Sequence, residues 1–547
     1  MFKFKNKPKK GIENKIRRDN KKSFGSIFGF KKKKKIDYPK FQIFPQKGLI
    51  PLPSSDDIRN KAVMYSLIKP YAYSAIKFSE KSNIVEYKVI EPTLGNKEYE
   101  MLEILREGLI QVINISLENV KKRGIVIDFL EENVRKLIDA YGFELTKQEY
   151  IKIMYYIFRD FVGLGKIEPL LSDPYIEDIG CDGTNIPVYV IHQKYGSIRT
   201  NVIFQNEKDL RDFVIKLAER SDRYISYAEP LLDGTLPGGT RVHASIARDV
   251  TTRGPTFTLR KFRETPFTPI DILNLKTVSS EMLAYLWFVV ENGANLLVTG
   301  GVATGKTSFL NSISMFIPTE AKIVSIEDTR ELNLPHENWI PGVSRSGFTG
   351  SGVGEVTMFE LLKESFRQNP DYLIVGEVRG REAYIMFQGM ASGHPSMATV
   401  HSGGVEDLIK RLQTKPISLS AGLLESLDIV ITMVHAKEKT KSSRRAREIV
   451  EIESIDIETG VPRVNKVFAW QPYTDSFEFR GNSWLLHRIA REKGYTLGNV
   501  MSEIARRKKV IDWLQNSKIT DMNQVVNYIK LYRTNPTKVE NIMRTAV

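Results

Sequence analysis

Along the first third of the chain, apolar residues recur every three to four positions. This spacing predicts helices over about 98–116, 125–141 and 147–161. Ahead of them VEYKVIEP (85–92) has the composition and alternation of a strand. Between 186 and 204 the period shortens to two, and PVYVIH and GSIRTNVIF read as strands flanking a turn. A helix over 206–220, the Gly-rich stretch DGTLPGGTRVHAS (233–245) and a strand in FTLRKF (257–262) follow. RETPFTPIDIL (263–273), with two prolines, marks a domain boundary.

Beyond that boundary, short apolar runs alternate with amphipathic stretches, the pattern of a parallel sheet with crossover helices. The predicted strands are NLLVTG (295–300), KIVSIED (322–328), DYLIVGE (371–377), SMATVH (396–401) and DIVITMV (428–434). The helices between them begin near Thr307, Thr357, Arg381 and Val405. MLAYLWFVV (282–290) is the longest uninterrupted apolar run, about half the length a bilayer requires, so no transmembrane helix is expected. From about 470 the chain turns helical and charged, and VMSEIARRKKVIDWL (500–514) is amphipathic. No internal repeat is visible. The fold class is α/β. A basic tail and linker are expected over 1–57, an α+β domain over 58–265, an α/β domain over 266–470 and a helical extension over 471–547.

At 547 residues the chain is too long for one core, in keeping with that division. Its single cysteine, Cys181, excludes an internal disulfide and a cysteine zinc site. No apolar signal core follows the basic N-terminal residues, and the expected location is cytoplasmic. Charge is distributed unevenly: residues 1–40 hold 16 Lys/Arg against Glu13, Asp19 and Asp37, or +13 of the net +15. Such a tail has too little apolar surface to offset its ordering entropy and is expected to be disordered. Phe2, Phe4, Phe24, Phe28 and Phe30 are interleaved with its lysines. Lysine charge and ring burial suit an anionic membrane surface, reached through residues 1–35; nucleic acid or simple solubilisation are the alternatives. Residues 36–57, with Pro39, Pro45, Pro51 and Pro53, read as an extended linker. The basic stretch AKEKTKSSRRAR (436–447) reads as a solvated hairpin tip.

Candidate chemistry concentrates in the α/β part. NLLVTGGVATGKTSFLNSI (295–313) matches G-x-x-x-x-G-K-[ST], with a strand before it and an amphipathic helix after it. Gly300, Gly301, Val302, Ala303, Thr304, Gly305, Lys306, Thr307 and Ser308 would cradle the phosphates of ATP with backbone N–H groups at a helix N-terminus. Lys306 would reach the β- and γ-phosphates and Thr307 would ligate Mg²⁺. Hydrolysis further requires carboxylates. IEDTRE places Glu327, Asp328 and Glu331 at the carboxyl edge of the sheet, and YLIVGE closes on Glu377 at the same edge. In isolation such acids are more often helix caps or solvated groups. Beside a phosphate loop, Glu377 and at least one of Glu327 and Glu331 are assigned to metal and water. His394 and His401 stand seven apart in GHPSMATVH without further ligands, which argues against zinc. A structural hydrogen bond and a γ-phosphate sensor both remain open for them.

In that order, GGVATGKT, IEDTRE, DYLIVGEVRG and ASGHPSMATVH resemble the Walker A, Asp box, Walker B and His box of the secretion ATPase superfamily. Its members drive type II and type IV secretion, type IV pili and the archaellum. GLGKIEPLLSDPYIEDIGCDG, PVYVIH, GGTRVHAS and TFTLRKF fit the N-terminal half, and VFAWQPYTDSFEFRGNSWLL (467–486) is similar to the archaeal branch, above all the archaellum motor ATPase. The resemblance spans about residues 85–545. It implies a RecA-like C-terminal motor domain behind a smaller α+β domain, a homo-hexamer, and a polytopic membrane platform protein as partner. It further implies Glu331 as general base, Glu377 as organiser of Mg²⁺ and its water, and N-terminal-domain arginines reaching the nucleotide. Arg241, Arg253 and Arg260 stand at the matching positions, and Arg379 is a further candidate; a surface ion pair is the alternative for each. The four-cysteine zinc insertion of bacterial type II members has no counterpart here. The expected activity is ATP hydrolysis driving assembly, or assembly and rotation, of an archaellum or type IV pilus-like filament, with a type II or IV secretion motor as the sibling reading. A nucleic-acid motor is disfavoured because the body of the chain is nearly neutral. An ATP-binding scaffold is disfavoured by the full set of acids.

Overall fold

The computed structural model describes residues 37–545 apart from 47, 49, 54–56, 114–122, 263–264, 346–353, 439–440 and 457. The basic tail, and with it the expected membrane contact, lies outside the described residues. The chain falls into two compact units. The first is built on residues 91–168 with the segments up to 45 and 68–72; the second holds 46–67, 73–90 and everything from 169 on.

In the first unit, helices α1 (Asn96–Ile113), α2 (Arg123–Tyr141) and α3 (Lys147–Ile157) bury Leu102, Leu105, Leu109, Leu130, Val134, Ile138, Ile153 and Met154. The start of α3 is set by a capping box in which Thr146 and Glu149 each bond the other's backbone N–H. The helix predicted to 161 changes at Phe158 into one π-turn, Phe158–Val162. The linker reading needs correction here. Its backbone is extended, but Tyr38 stacks on Tyr150 with ring centroids 4.4 Å apart. The Phe41 N–H donates to the buried Glu131 carboxylate at 3.2 Å, and Arg135 donates to the Tyr38 carbonyl at 2.9 Å. Aromatic residues spaced between prolines carry enough burial to pin an otherwise solvated segment. Strand β1 (Phe44–Pro45) pairs with Ile68 and Lys69 in the same unit.

The second unit contains two sheets. Strands β2 (Val63–Lys69), β3 (Ala72–Ser79), β4 (Ile84–Ile90), β5 (Ile176–Cys181), β6 (Pro187–His192), β7 (Gly196–Ile203), β8 (Leu231–Thr235), β9 (Arg241–Ser245) and β10 (Thr256–Arg260) run in the order β2-β3-β4-β7-β6-β5-β10-β9-β8. Helix α4 (Glu207–Arg220) lies in sequence between β7 and β8. Sequence periodicity does not reveal β2 and β3.

The second sheet contains β11 (Leu296–Gly300), β12 (Ile323–Glu327), β13 (Trp339–Val343), β14 (Tyr372–Val378), β15 (Ser396–Val400), β16 (Ile429–Glu438), β17 (Lys441–Ile455), β18 (Pro462–Gln471) and β19 (Ser476–Phe479). Their order is β13-β12-β14-β15-β11-β16-β17-β18-β19, parallel through β16 and antiparallel beyond it. Helices α5 (Ser280–Glu291), α6 (Lys306–Ile313), α7 (Met358–Ser365), α8 (Glu382–Ala391) and α9 (Val405–Gln413) accompany it, four of them within a residue of the predicted starts. With β11 between β15 and β16 and a helix springing from its end, this part of the fold is RecA-like and α/β.

Both faces of this sheet are buried, which is why its strands read as continuous apolar runs. Leu296 and Val298 face a core with Trp287, Phe309 and Ile431, while Leu297 faces Leu373, Met386, Phe387 and Val430. Helices α10 (Trp484–Lys493), α11 (Leu497–Asn516), α12 (Met522–Thr534) and α13 (Pro536–Thr545) follow. Leu485, Val510, Ile511, Leu514 and Tyr532 enter the same core as Trp287. The Arg507 guanidinium lies 4.9 Å from the Trp287 ring centre and 2.7 Å from Glu291. The helical extension therefore completes the core of this sheet. Among the described residues, no helix is long and apolar enough to cross a membrane.

Candidate active site

In a parallel sheet all strands end at the same edge, and there β11, β12, β14 and β15 deliver the predicted chemistry. β11 ends in Gly300, whose φ of +154° suits glycine alone; a Cβ there would stand 2.5 Å from the Met433 carbonyl. The loop turns through Ala303 (φ +59°) and Gly305 (φ +87°) into α6. Val302 and Ser308 are exposed, Thr304 is buried, and the Thr304 hydroxyl donates to the Gly301 carbonyl at 3.0 Å. Lys306 is buried and donates to the same carbonyl at 2.8 Å. Burial lowers its pKa, while Glu377 and Glu331 oppose the shift. Inward-turned glycines, a helix N-terminus and a buried ammonium fit a polyphosphate.

Glu377, from the end of β14, receives Arg379 in a two-point ion pair at 2.9 and 2.8 Å. His401, from the end of β15, stands 3.1 Å from Glu377 through Nε2 and 3.3 Å from Lys306 through Nδ1. A neutral ring protonated on Nε2 satisfies both contacts, accepting from the ammonium and donating to the carboxylate. Burial, then the Lys306 charge, hold the His401 pKa below its usual value. For Glu377, burial pushes upward, but the Arg379 hydrogen bond and the charges of Arg379 and Lys306 win, and its carboxyl lies below the usual range.

Glu327 behaves oppositely. It is 1% exposed, and its Oε1 accepts from the backbone N–H groups of Glu331 (2.9 Å) and Leu332 (3.0 Å). Its Oε2 has no hydrogen-bond partner among the described residues, and burial pushes its pKa up to about 7. Gly376 makes room for it: a Cβ there would lie 2.9 Å from Glu327 Cγ. The sign for stability follows. Raised above its unfolded value near 4.5, Glu327 stabilises the folded chain fully at low pH, and that stability is lost as pH rises to about 7. Glu327→Gln should therefore gain on the wild type between pH 5 and 7, by up to about 1.4 kcal/mol per pH unit in urea unfolding. A pH-independent difference would contradict the assignment.

A cleft of about 380 Å³ is lined by Thr307, Glu327, Asp328, Glu331, Glu377, Arg379, Glu382 and Arg241 among others. Arg241, at the start of β9, approaches Asp233 at 3.2 Å and Asp328 at 3.8 Å. Of the three predicted N-terminal arginines, it is the one that lines this cleft. Arg260 lies opposite Arg241 in the sheet register but is 63% exposed, 3.9 Å from Asp178. Arg253 is exposed on the turn before β10 and is not among the lining residues. His394 is placed at the far end of β15, roughly 17 Å of strand from the carboxyl edge, with its ring against Phe366 at 5.2 Å. The histidine pair divides: His401 joins the cluster and His394 does not.

Sequence reasoning assigned no role to Asp233 and Glu382. Asp233 opens the Gly-rich stretch that also holds Arg241, and Glu382 is an acid in the first turn of α8 that accepts from the N–H groups of Arg379 and Gly380, both at 2.6 Å. It likewise left 436–447 as a solvated tip. Residues 441–447 instead belong to β17, where Arg445 is buried against Asp475 at 2.8 Å and Arg444 donates to the Ala303 carbonyl at 3.1 Å. Alternating charge in a strand hides such contacts from a hydropathy pattern.

Residues 163–470 match the family model described as type II/IV secretion system protein. The chain belongs to the type II/IV secretion system protein family. The uncharacterized protein MJ0900 of Methanocaldococcus jannaschii is 34% identical over 477 residues, covering 83% of this chain and 86% of that one. MJ1287 of the same organism is 44% identical over 250 residues, covering 46% of this chain and 92% of that one. Among solved structures, the ATPase DotB of Yersinia pseudotuberculosis is similar at 16% identity over 68% of this chain and 93% of that one, with a TM-score of 0.40. These archaeal relatives fit the archaeal branch of the secretion ATPases. Nucleotide binding and ATPase activity accompany membership of the family.

Proposed function

We propose that the chain is the Mg²⁺-dependent ATPase of a hexameric motor that assembles, or assembles and rotates, an archaellum or type IV pilus-like filament. One observation carries the reading: buried Lys306 and Glu327 and half-buried Glu377 stand at one sheet edge, the two acids in a cleft that also takes Arg241 from the other sheet. In this reading Lys306 and the loop amides hold the β- and γ-phosphates, while Thr307 and Glu377 hold Mg²⁺ and its water. When bound, the metal would neutralise charge between the phosphates. Glu327 takes the proton of the attacking water on Oε2, because a base with pKa about 7 is matched to neutral pH. Glu331, the resemblance's choice, shares the cleft but is exposed. Arg241 meets the negative charge that develops on the transferred phosphoryl group. Arg253, exposed on the turn before β10, and Arg260, exposed at the end of β10, are offered for a neighbouring subunit's nucleotide. We take the motor part as 266–470 with its helical extension over 471–547, behind an N-terminal domain at 58–265.

The partner is a polytopic membrane platform protein, and the chain works at the inner face of the cell membrane. Residues 1–35 bring their lysines and phenylalanines to the anionic surface, at about 1 kcal/mol per lysine. Removing residues 1–35 should leave ATP turnover in solution unchanged and abolish sedimentation with anionic vesicles. Vesicle binding that survives the deletion would sink the membrane role of the tail.

A further inference from the structure

The carbonyls of the phosphate loop are held from outside by the hairpin β16–β17. His435 and Arg444 are direct cross-strand partners and so project to the same face. Arg444 Nε donates to the Ala303 carbonyl at 3.1 Å, and His435 Nε2 lies 3.4 Å from the Val302 carbonyl. The Arg444 stem lies over Gly305, where a Cβ would come within 3.0 Å of its Cδ.

Peptide planes make this contact consequential. In a trans peptide the carbonyl and the following N–H point in opposite directions. Holding the Val302 and Ala303 carbonyls outward therefore aims the N–H groups of Ala303 and Thr304 inward, toward the phosphates. Ala303 has a φ of +59°, a conformation costing a non-glycine residue about 1–2 kcal/mol, so the loop profits from an external hold. The hold is itself anchored. Arg445 is buried, takes Asp475 at 2.8 and 2.9 Å, and bonds the Arg444 carbonyl at 3.0 Å. Neighbouring side chains in a strand face opposite ways, so fixing Arg445 directs Arg444 at the loop. Two residues on, Arg447 donates to the Gly403 carbonyl at 3.2 Å, in the loop that follows His401.

We propose that Arg444 is a positioning residue for the nucleotide: by holding the Ala303 carbonyl it presets the phosphate loop for binding. The inference rests on the reading of residues 300–308 as the nucleotide loop. It concerns affinity, since Arg444 does not line the cleft that holds Glu327 and Glu377.

The test is equilibrium binding of ADP to the full chain by calorimetry, with steady-state ATP turnover and thermal unfolding measured alongside. Arg444→Ala should weaken ADP binding about tenfold, the worth of one hydrogen bond from a charged donor, with kcat at saturating ATP within about twofold of wild type. Arg444→Lys keeps the charge and a donor, and should recover more of the affinity than Arg444→Gln. Arg463→Ala, which removes an exposed arginine on β18 paired with Glu453, should bind as wild type does. Unchanged ADP affinity in Arg444→Ala, or a loss confined to kcat or to thermal stability, overturns the proposal. A wild-type chain that fails to bind ADP overturns the nucleotide reading and this inference with it.

Discussion

Glu377→Gln should keep nucleotide bound while ATP turnover falls at least about a hundredfold. The substitution preserves the volume of the side chain at the end of β14 and removes its charge. Arg379, joined to both carboxylate oxygens, and His401, 3.1 Å away, each lose the anion they face. An amide cannot hold a divalent cation and its water as a carboxylate does, whereas the phosphate loop and Lys306 are built from β11 and α6 and stay intact. The variant should therefore shift kcat and leave the affinity for nucleotide near wild type, as read by rapid-quench turnover and equilibrium ADP binding. Near-normal turnover would remove Glu377 from the metal site. Loss of binding as complete as in Lys306→Ala would show that the carboxylate supports the loop and has no separate role in the chemistry.

The largest effect on stability is expected at Glu451, far from the chemistry. Its carboxylate is fully buried on β17. Its donors are the Tyr285 hydroxyl at 2.7 Å, the Ser483 hydroxyl, the Trp484 and Leu485 N–H groups at 2.8 and 3.3 Å, and the Asn465 amide at 3.0 Å. The carboxylate thereby joins helix α5, the hairpin β17–β18 and the first turn of α10. Burial, then the Glu451 charge, push the Tyr285 pKa far up, so the phenol stays a donor. Glu451→Ala strands these donors in the core beside a cavity and should cost about 3–5 kcal/mol in urea unfolding. Glu451→Gln, which keeps one acceptor oxygen, should cost less. A change under about 1 kcal/mol for the alanine variant would mean that the C-terminal helices are docked by other contacts.

The legible parts of the motor were those where one physical rule dominates. Strands buried on both faces must be apolar throughout, so β11, β12, β14, β15 and the start of β16 stood out. Phosphate loops need glycines, and helices need caps, so Gly300–Thr307 and the start of α7 at the Thr357 capping box were placed within a residue. Parallel topology then sent Glu327, Glu377 and His401 to one edge and His394 to the other, although their spacing alone could not divide the histidines. What stayed hidden depended on tertiary environment. Nothing in IEDTRE reveals that Glu327 is buried with one oxygen unpaired while Glu331 is exposed. The arginines of β17 look solvated in sequence because their partners, Asp475 and the Ala303 carbonyl, lie 30 and 141 residues away. Tyr38 and Phe41 were masked by the prolines around them.

Phosphate release from ATP by the purified full chain with Mg²⁺ most directly tests the central claim, a membrane-docked ATPase motor. It should be measured alone, with anionic vesicles and with single-stranded DNA. Turnover should be stimulated by vesicles and not by DNA. Stimulation by DNA alone, or no turnover under any of the three conditions, would contradict it.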